Sequence, residues 1–158
     1  MKKIYFPNKK KIMIKGATFS SLCANIKYKD RLDLALIFLE AGSIVTGVFT
    51  KSKTKAPSVI LSKKVVKDSF KNEKEPIAIV INSGNANAFT GKEGTQAIEK
   101  VVSKVSEHLK ISKNRILMAS TGVIGELLPY KKIIDKIPSL IQNLTENQVI
   151  DSAKAIMT

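Results

Sequence analysis

A small hydroxyl residue followed directly by glycine can aim a side-chain O–H and a backbone N–H at one point in space. The string Ala119-Ser120-Thr121-Gly122-Val123-Ile124-Gly125-Glu126 contains such a pair. Two converging donors are what the negative oxygen of an acyl-transfer intermediate needs, and losing one typically costs about 10²–10³ in rate. The dipeptide is common, however, and Gly122 and Gly125 equally well let the chain turn. The second candidate is Asn82-Ser83-Gly84-Asn85-Ala86-Asn87-Ala88-Phe89-Thr90-Gly91. Asn and Gly tolerate positive φ, and their small polar groups let backbone wrap closely around a ligand or another loop. The same composition suits a tight connection from a buried strand to a helix.

Three single residues invite a role. Cys23 is the only cysteine, so no internal disulfide can form. A nucleophilic thiol wants a basic partner, and the only histidine, His108, lies far along the chain, so a small strand side chain is the expectation for Cys23. His108 sits beside a helical stripe and reads as packed or solvated. Asp33 is an acid inside an apolar run, with no task that the sequence assigns. There is no Gly-rich phosphate loop with Lys-Ser/Thr, no metal-ligand spacing and no G-x-S-x-G elbow, so neither a cofactor nor a metal is expected.

The formal net charge of +14 raises nucleic acid or an anionic membrane as partners. Arg31 and Arg115 are the only arginines, though, and the lysines are spread along the chain with acids between them. Specific phosphate and base contacts favour the planar arginine fork, and 6% aromatic residues without tryptophan make a poor stacking platform. No nucleic-acid role is expected. The start, Met1-Lys2-Lys3-Ile4-Tyr5-Phe6-Pro7, fails as a signal peptide because Lys9, Lys10 and Lys11 follow where an apolar core should continue. Nothing reaches the ~18 apolar residues of a membrane span, and a cytoplasmic location is expected.

The elements that must position these residues are legible in the apolar pattern. Leu22, Ala24, Ile26 and Tyr28 alternate with polar residues, the period of a half-buried strand. Residues 32–39 and 44–49 are nearly continuous apolar runs, as expected of strands covered on both faces, which implies layered packing. Pro57 opens a short strand over residues 58–61, followed by a lysine-rich helix over 62–70. Residues 77–81 are the clearest buried strand. Thr90-Gly91-Lys92-Glu93 matches a capping box, and Ala97, Ile98, Val101, Val102, Val105 and Leu109 follow at helical spacing. Residues 114–119 return to a strand. Residues 130–144 are helical, with Pro138 expected to split them or open a second helix. Thr145-Glu146-Asn147-Gln148 is a second capping box before a stripe ending at Met157. With 158 residues, 44% of them hydrophobic, one soluble α/β domain spanning 1–158 is expected. The sequence stops at Thr158, at the end of that stripe, without a Gly, Pro or polar tail, as if the helix were cut there.

Taken in order, these segments resemble the ornithine acetyltransferases, the bifunctional glutamate N-acetyltransferases of arginine biosynthesis. The resemblance rests on Asp33-Leu34-Ala35-Leu36-Ile37, Thr46-Gly47-Val48-Phe49-Thr50, Lys55-Ala56-Pro57, the asparagine-rich string at 82–91, the Thr-Gly string at 119–126 with Leu128-Pro129, and Ala153-Lys154-Ala155-Ile156-Met157-Thr158. It implies a layered α+β sandwich of the αββα, DmpA/ornithine-acetyltransferase type. It also implies a ping-pong reaction: a threonine freed at the N-terminus of a second, β-type subunit takes acetyl from N-acetylornithine and passes it to glutamate. Some members accept acetyl-CoA as donor. By this carry-over Thr121 (hydroxyl) and Gly122 (N–H) form the oxyanion hole, and Thr158 contacts substrate where the family has two adjacent threonines. Phe89 stands where the family usually has cysteine, and the Ala-Pro-Lys-Gly-Phe stretch expected before Leu32 is missing. The cleavage sequence, the nucleophile and an upstream substrate-binding lysine are expected beyond Thr158, within an α2β2 assembly. This chain by itself is then an N-terminal, α-type portion that does not turn over. A non-catalytic relic or a basic interaction module is the alternative.

Overall fold

The computed structural model describes residues 12–68 and 74–157. Four strands make one sheet in the order β1 (Ala17–Leu22), β2 (Leu34–Leu39), β3 (Ile77–Asn82), β4 (Ile116–Ser120). The first two pairings are antiparallel, with Leu22 opposite Leu34 and Leu34 opposite Asn82. The β3–β4 pairing is parallel, with Asn82 opposite Ser120. A parallel pair needs a crossover, and α2 (Gly91–Leu109) supplies it. Both strands therefore end on the same side of the sheet, where the asparagine-rich and Thr-Gly strings leave it.

Alternation along the strands decides the layers. Leu34, Leu36, Ala78, Val80, Ile116 and Met118 share one face and pack under α2 and α3 (Tyr130–Gln142). The expected stripe of α2 is what they meet: Ala97, Ile98, Val101, Val102 and Val105 are buried, with Leu109 at the margin. On the other face Ile77 and Leu117 pack with Val65 of α1 (Pro57–Asp68), and α4 (Val149–Ala155) packs against β1 and β2. Ile37, Leu39, Ile79 and Ile81 on that face stay only half-buried. The chain is thus a mixed α/β layer, with helices thickly covering one side of the sheet and thinly the other.

Exposed strand edges invite unwanted pairing, and among the described residues both edges are engaged. Ser62 of α1 donates its hydroxyl to the Met118 carbonyl (2.7 Å) and accepts from the Met118 N–H (3.0 Å). At the far edge Phe19 and Thr145 exchange backbone hydrogen bonds of 2.8 and 3.0 Å.

Several local expectations are corrected. The alternating run does not continue as a strand past Leu22: Ala24 and Ile26 are buried in an irregular turn, and Tyr28 is exposed. Residues 44–49 form no strand: among the described residues no segment pairs with their backbone, and Ile44 and Val48 are exposed. The strand expected at 58–61 is the first turn of α1. Pro57 supplies the fixed φ of a helix start, and Ser58, Ser62 and Val65 give the helix one buried face. Pro138 does not split α3. An interior proline costs ~3 kcal/mol, whereas Ile133, Ile137 and Leu140 are almost fully buried, each contributing ~1.5–3 kcal/mol; burial wins.

Neither capping box forms. The Thr90 hydroxyl turns back to Asn87, 2.8 Å from Oδ1 and 3.2 Å from the carbonyl. Thr145 is taken by Phe19, and Gln148 Oε1 accepts from the Ser21 N–H at 3.0 Å. None of these groups caps its helix: Thr90 bonds within its own loop, and the Thr145 backbone and the Gln148 side chain bond to β1.

Candidate functional site

Beyond the ends of β3 and β4 the two strings run side by side, as though the parallel ladder continued into irregular backbone. Thr121 N–H donates to Asn82 O (3.0 Å), Val123 N–H to Gly84 O (3.3 Å), Ala86 N–H to Val123 O (2.9 Å) and Gly125 N–H to Ala88 O (2.9 Å). Gly122 lies between these bonds at φ +133°, and a Cβ there would sit 2.3 Å from Gly84 C and 2.5 Å from Asn85 N. Only glycine permits that approach. Gly122 is exposed and Thr121 half-buried. Among the described residues neither the Gly122 N–H nor the Thr121 hydroxyl has a hydrogen-bond partner.

The asparagines hold this crossing from beneath. Asn85 is buried, and its amide Nδ2 donates to the carbonyls of Glu126 (3.1 Å) and Leu127 (3.3 Å), while its Oδ1 accepts from the Asn87 N–H (2.8 Å). Asn82 Nδ2 donates to Asn85 O (2.9 Å), and Asn87 Nδ2 donates to Gly94 O (3.0 Å), tying the loop to the first turn of α2. An N–H or side-chain amide buried without such partners is expensive, so this network fixes the loop. Three buried oxygens nearby, Asn82 Oδ1, Ser83 Oγ and Ser120 Oγ, have no hydrogen-bond partner among the described residues. Lys27 closes the far side, its ammonium 2.7 and 2.9 Å from the Glu126 carboxylate oxygens.

A groove of about 310 Å³ runs between residues 46–49 and the sheet, lined by Ser58, Ser62, Leu117 and Ala119 and ending at Ser120. It is at the small end of ligand-sized clefts, and its lining includes Ser120, next in the chain to Thr121.

Other sequence candidates lie elsewhere. Cys23 is a half-buried free thiol in the turn after β1, not a strand residue. His108 is in the last turn of α2, about 25 Å along the helix from its start near the loops, with Nδ1 3.0 Å from the Lys104 carbonyl oxygen. Thr158 lies outside the described residues. Asp33, for which the sequence suggests no role, is buried and accepts two backbone N–H groups. The sequence signal for it was an acid in an apolar run, which marks a buried polar contact without naming it.

Two charge features bear on partners. Arg115 is buried and donates to the carbonyls of Pro76 and Glu75, and Arg31 stacks over Tyr28 and donates to the Met157 carbonyl. Both arginines therefore serve the fold. Among the described residues no helix is long and apolar enough to cross a membrane.

A sequence model described as the ArgJ family matches residues 18–158. The arginine biosynthesis bifunctional proteins ArgJ of Bartonella henselae and Geobacter sulfurreducens are 38% and 41% identical over 145 residues, which is 92% of this chain but 34% and 36% of those proteins. The chain thus spans about a third of the length of the curated relatives it matches. Among solved structures, an ornithine acetyltransferase complexed with ornithine from Mycobacterium tuberculosis superposes with a TM-score of 0.81 at 29% identity, covering 91% of this chain and 76% of that one. An arginine biosynthesis bifunctional protein from Bacillus halodurans gives 0.75 at 28%, covering 91% and 73%.

Proposed function

This chain belongs to the ArgJ family of arginine-biosynthesis acetyltransferases, and from that premise we propose that it is the α-type portion of a glutamate N-acetyltransferase and supplies the oxyanion hole of the active site. The Thr121 hydroxyl and the Gly122 N–H are the two donors. The single observation that carries the reading is that both are unengaged, among the described residues, at the tip of a loop whose other polar groups are mostly satisfied. A polar loop that spends its bonds on holding two free donors is pre-organised, and pre-organised donors stabilise developing charge without reorganising during the reaction.

The chemistry is acetyl transfer in two halves. A threonine hydroxyl from the β-type part adds to the acetyl carbonyl of N-acetylornithine, its proton passing to that residue's own α-amino group. The carbonyl oxygen becomes negative and is held by Thr121 and Gly122. The C–N bond then breaks, ornithine leaves with the proton, and an acetyl ester remains. The amine of glutamate attacks the ester, a second oxyanion forms in the same pocket, and N-acetylglutamate departs as threonine recovers its proton. Splitting the transfer this way replaces one hard step with two easier ones, and both need stabilisation that exists only in the transition state. Thr158 contacts the amino-acid substrate.

The nucleophile is brought by a β-type partner within an α2β2 assembly in the cytoplasm, and residues 1–158 fold as one domain of it. Support for a covering partner comes from the half-buried sheet face at Ile37, Ile79 and Ile81 and from the exposed Ile44 and Val48 beside it. Mixing this chain with the β-type chain of a relative tests the proposal: acetyl transfer from N-acetylornithine to glutamate appears only in the mixture. Association without transfer favours an interaction module, and failure to associate removes the assembly.

A further inference from the structure

Asp33 is 2% exposed and its carboxylate accepts two short hydrogen bonds, from the Ala24 N–H to Oδ1 and from the Ile26 N–H to Oδ2, each 2.6 Å. Between those donors Asn25 adopts φ +55°. One carboxylate therefore bends the chain after β1 around itself. Bonds to an ionised acceptor are roughly twice as strong as neutral ones, so the bend is firm. The Asp33 carbonyl also accepts the Ser83 N–H at 2.9 Å, which joins this bend to the asparagine-rich loop.

The bend delivers Lys27 to a particular place. A Cβ added to Gly84 would meet Lys27 Cβ at 2.8 Å and Lys27 N at 3.4 Å, and a Cβ added to Gly122 would meet Gly84 C at 2.3 Å. Three stretches of chain are therefore stacked in contact: residue 27, residue 84 and residue 122. From the same side Lys27 reaches around to Glu126 at 2.7 Å. That ion pair is exposed on both partners and by itself contributes little; the stacked contacts carry the coupling. Lys132 of α3 adds a bond to the Asn25 carbonyl at 2.5 Å.

We infer that Asp33 is a positioning residue for the Thr121–Gly122 pair, acting through the bend at residues 24–27 and through Gly84. The inference rests on the reading of that pair as the functional element. Asp33→Asn keeps the size but replaces one acceptor oxygen with an N–H₂ group facing a backbone N–H, so one of the two bonds is lost and the bend relaxes.

Backbone NMR of the 158-residue chain separates positioning from plain stability, with Val105→Ala in the α2 core as the control that lowers stability elsewhere. Asp33→Asn is expected to displace the amide signals of Thr121, Gly122 and Gly125 and to lower their order parameters from ~0.85 toward ~0.6. Val105→Ala leaves those signals in place. Loop signals in Asp33→Asn that match the control overturn the inference. If Asp33→Asn does not fold, Lys27→Gly, which removes the contact beneath Gly84 from an exposed turn, gives the same readout; unmoved Gly84 and Gly122 signals overturn it equally. In the mixed enzyme Asp33→Asn lowers kcat by roughly 10²-fold at near-constant KM, the cost of a misplacement of about 1 Å. Displaced loop signals with unchanged kcat uphold the positioning and sink the oxyanion reading.

Discussion

Residues 82–87 are polar and mostly buried, whereas residues 44–49 are largely apolar and mostly exposed. The first segment inverts the usual expectation because its amides find partners within the chain: Asn85 with residues 87, 126 and 127, Asn87 with Gly94, and Asn82 with Asn85. The second has strand-like residues and, among the described residues, no strand to pair with. Burial thus follows hydrogen-bond accounting as much as hydrophobicity. A polar segment whose amides are held in this way becomes a fixed part of the fold, and an apolar run left exposed is open to another body.

That contrast can be broken most severely at Gly122. Gly122→Ala places a methyl group on the Gly84 backbone at a φ that disfavours side chains, so the two loops must part. A loss of about 2–4 kcal/mol in denaturant-derived stability is expected, with turnover of the mixed enzyme falling at least ~10²-fold. Asn85→Asp is next. It turns a donor facing the Glu126 and Leu127 carbonyls into an acceptor, at a cost of about 1–3 kcal/mol in the same unfolding measurement. Val48→Ser probes the other region and should change the stability of this chain by no more than ~0.5 kcal/mol. Its effect belongs to the partner: losing one buried aliphatic contact weakens association with a β-type chain by roughly tenfold in Kd. A large stability loss in the chain alone would show that residues 44–49 belong to its own core.

The smallest effect lies away from both regions. The Lys100 ammonium donates to Tyr130 Oη at 3.0 Å and holds the phenol pKa below its ordinary value of about 10. The bond stabilises the phenolate, so Lys100→Met should raise the midpoint of an ultraviolet pH titration of Tyr130. An unchanged midpoint would dissolve the pair.

How much of this was legible in the sequence depended on whether a residue's partners were near in the chain. The strand at residues 77–81 and the α2 stripe from Ala97 to Val105 declared themselves because burial on a fixed period is local information. The Thr-Gly pair could be proposed as a donor pair from its types and from the family resemblance. Its support could not: the partner of Asp33 is a bend nine residues back, and that of Asn85 is a carbonyl more than forty residues on. Pro57 read as a strand start because Ser58-Val59-Ile60-Leu61 is short and apolar, and only the burial of Ser62 and Val65 behind it makes the helix. The second capping box failed for the same reason, since Gln148 and the Thr145 backbone found partners in β1, whereas Thr90 turned back to Asn87, three residues away.

The most direct test of the central claim is Thr121→Ala in the mixed enzyme, with kcat and the unfolding midpoint measured together. Because its hydroxyl has no partner among the described residues, the account predicts kcat lower by about 10²–10³-fold with the unfolding midpoint almost unmoved. Undiminished turnover, or a collapse of stability that accounts for the lost activity, would contradict it.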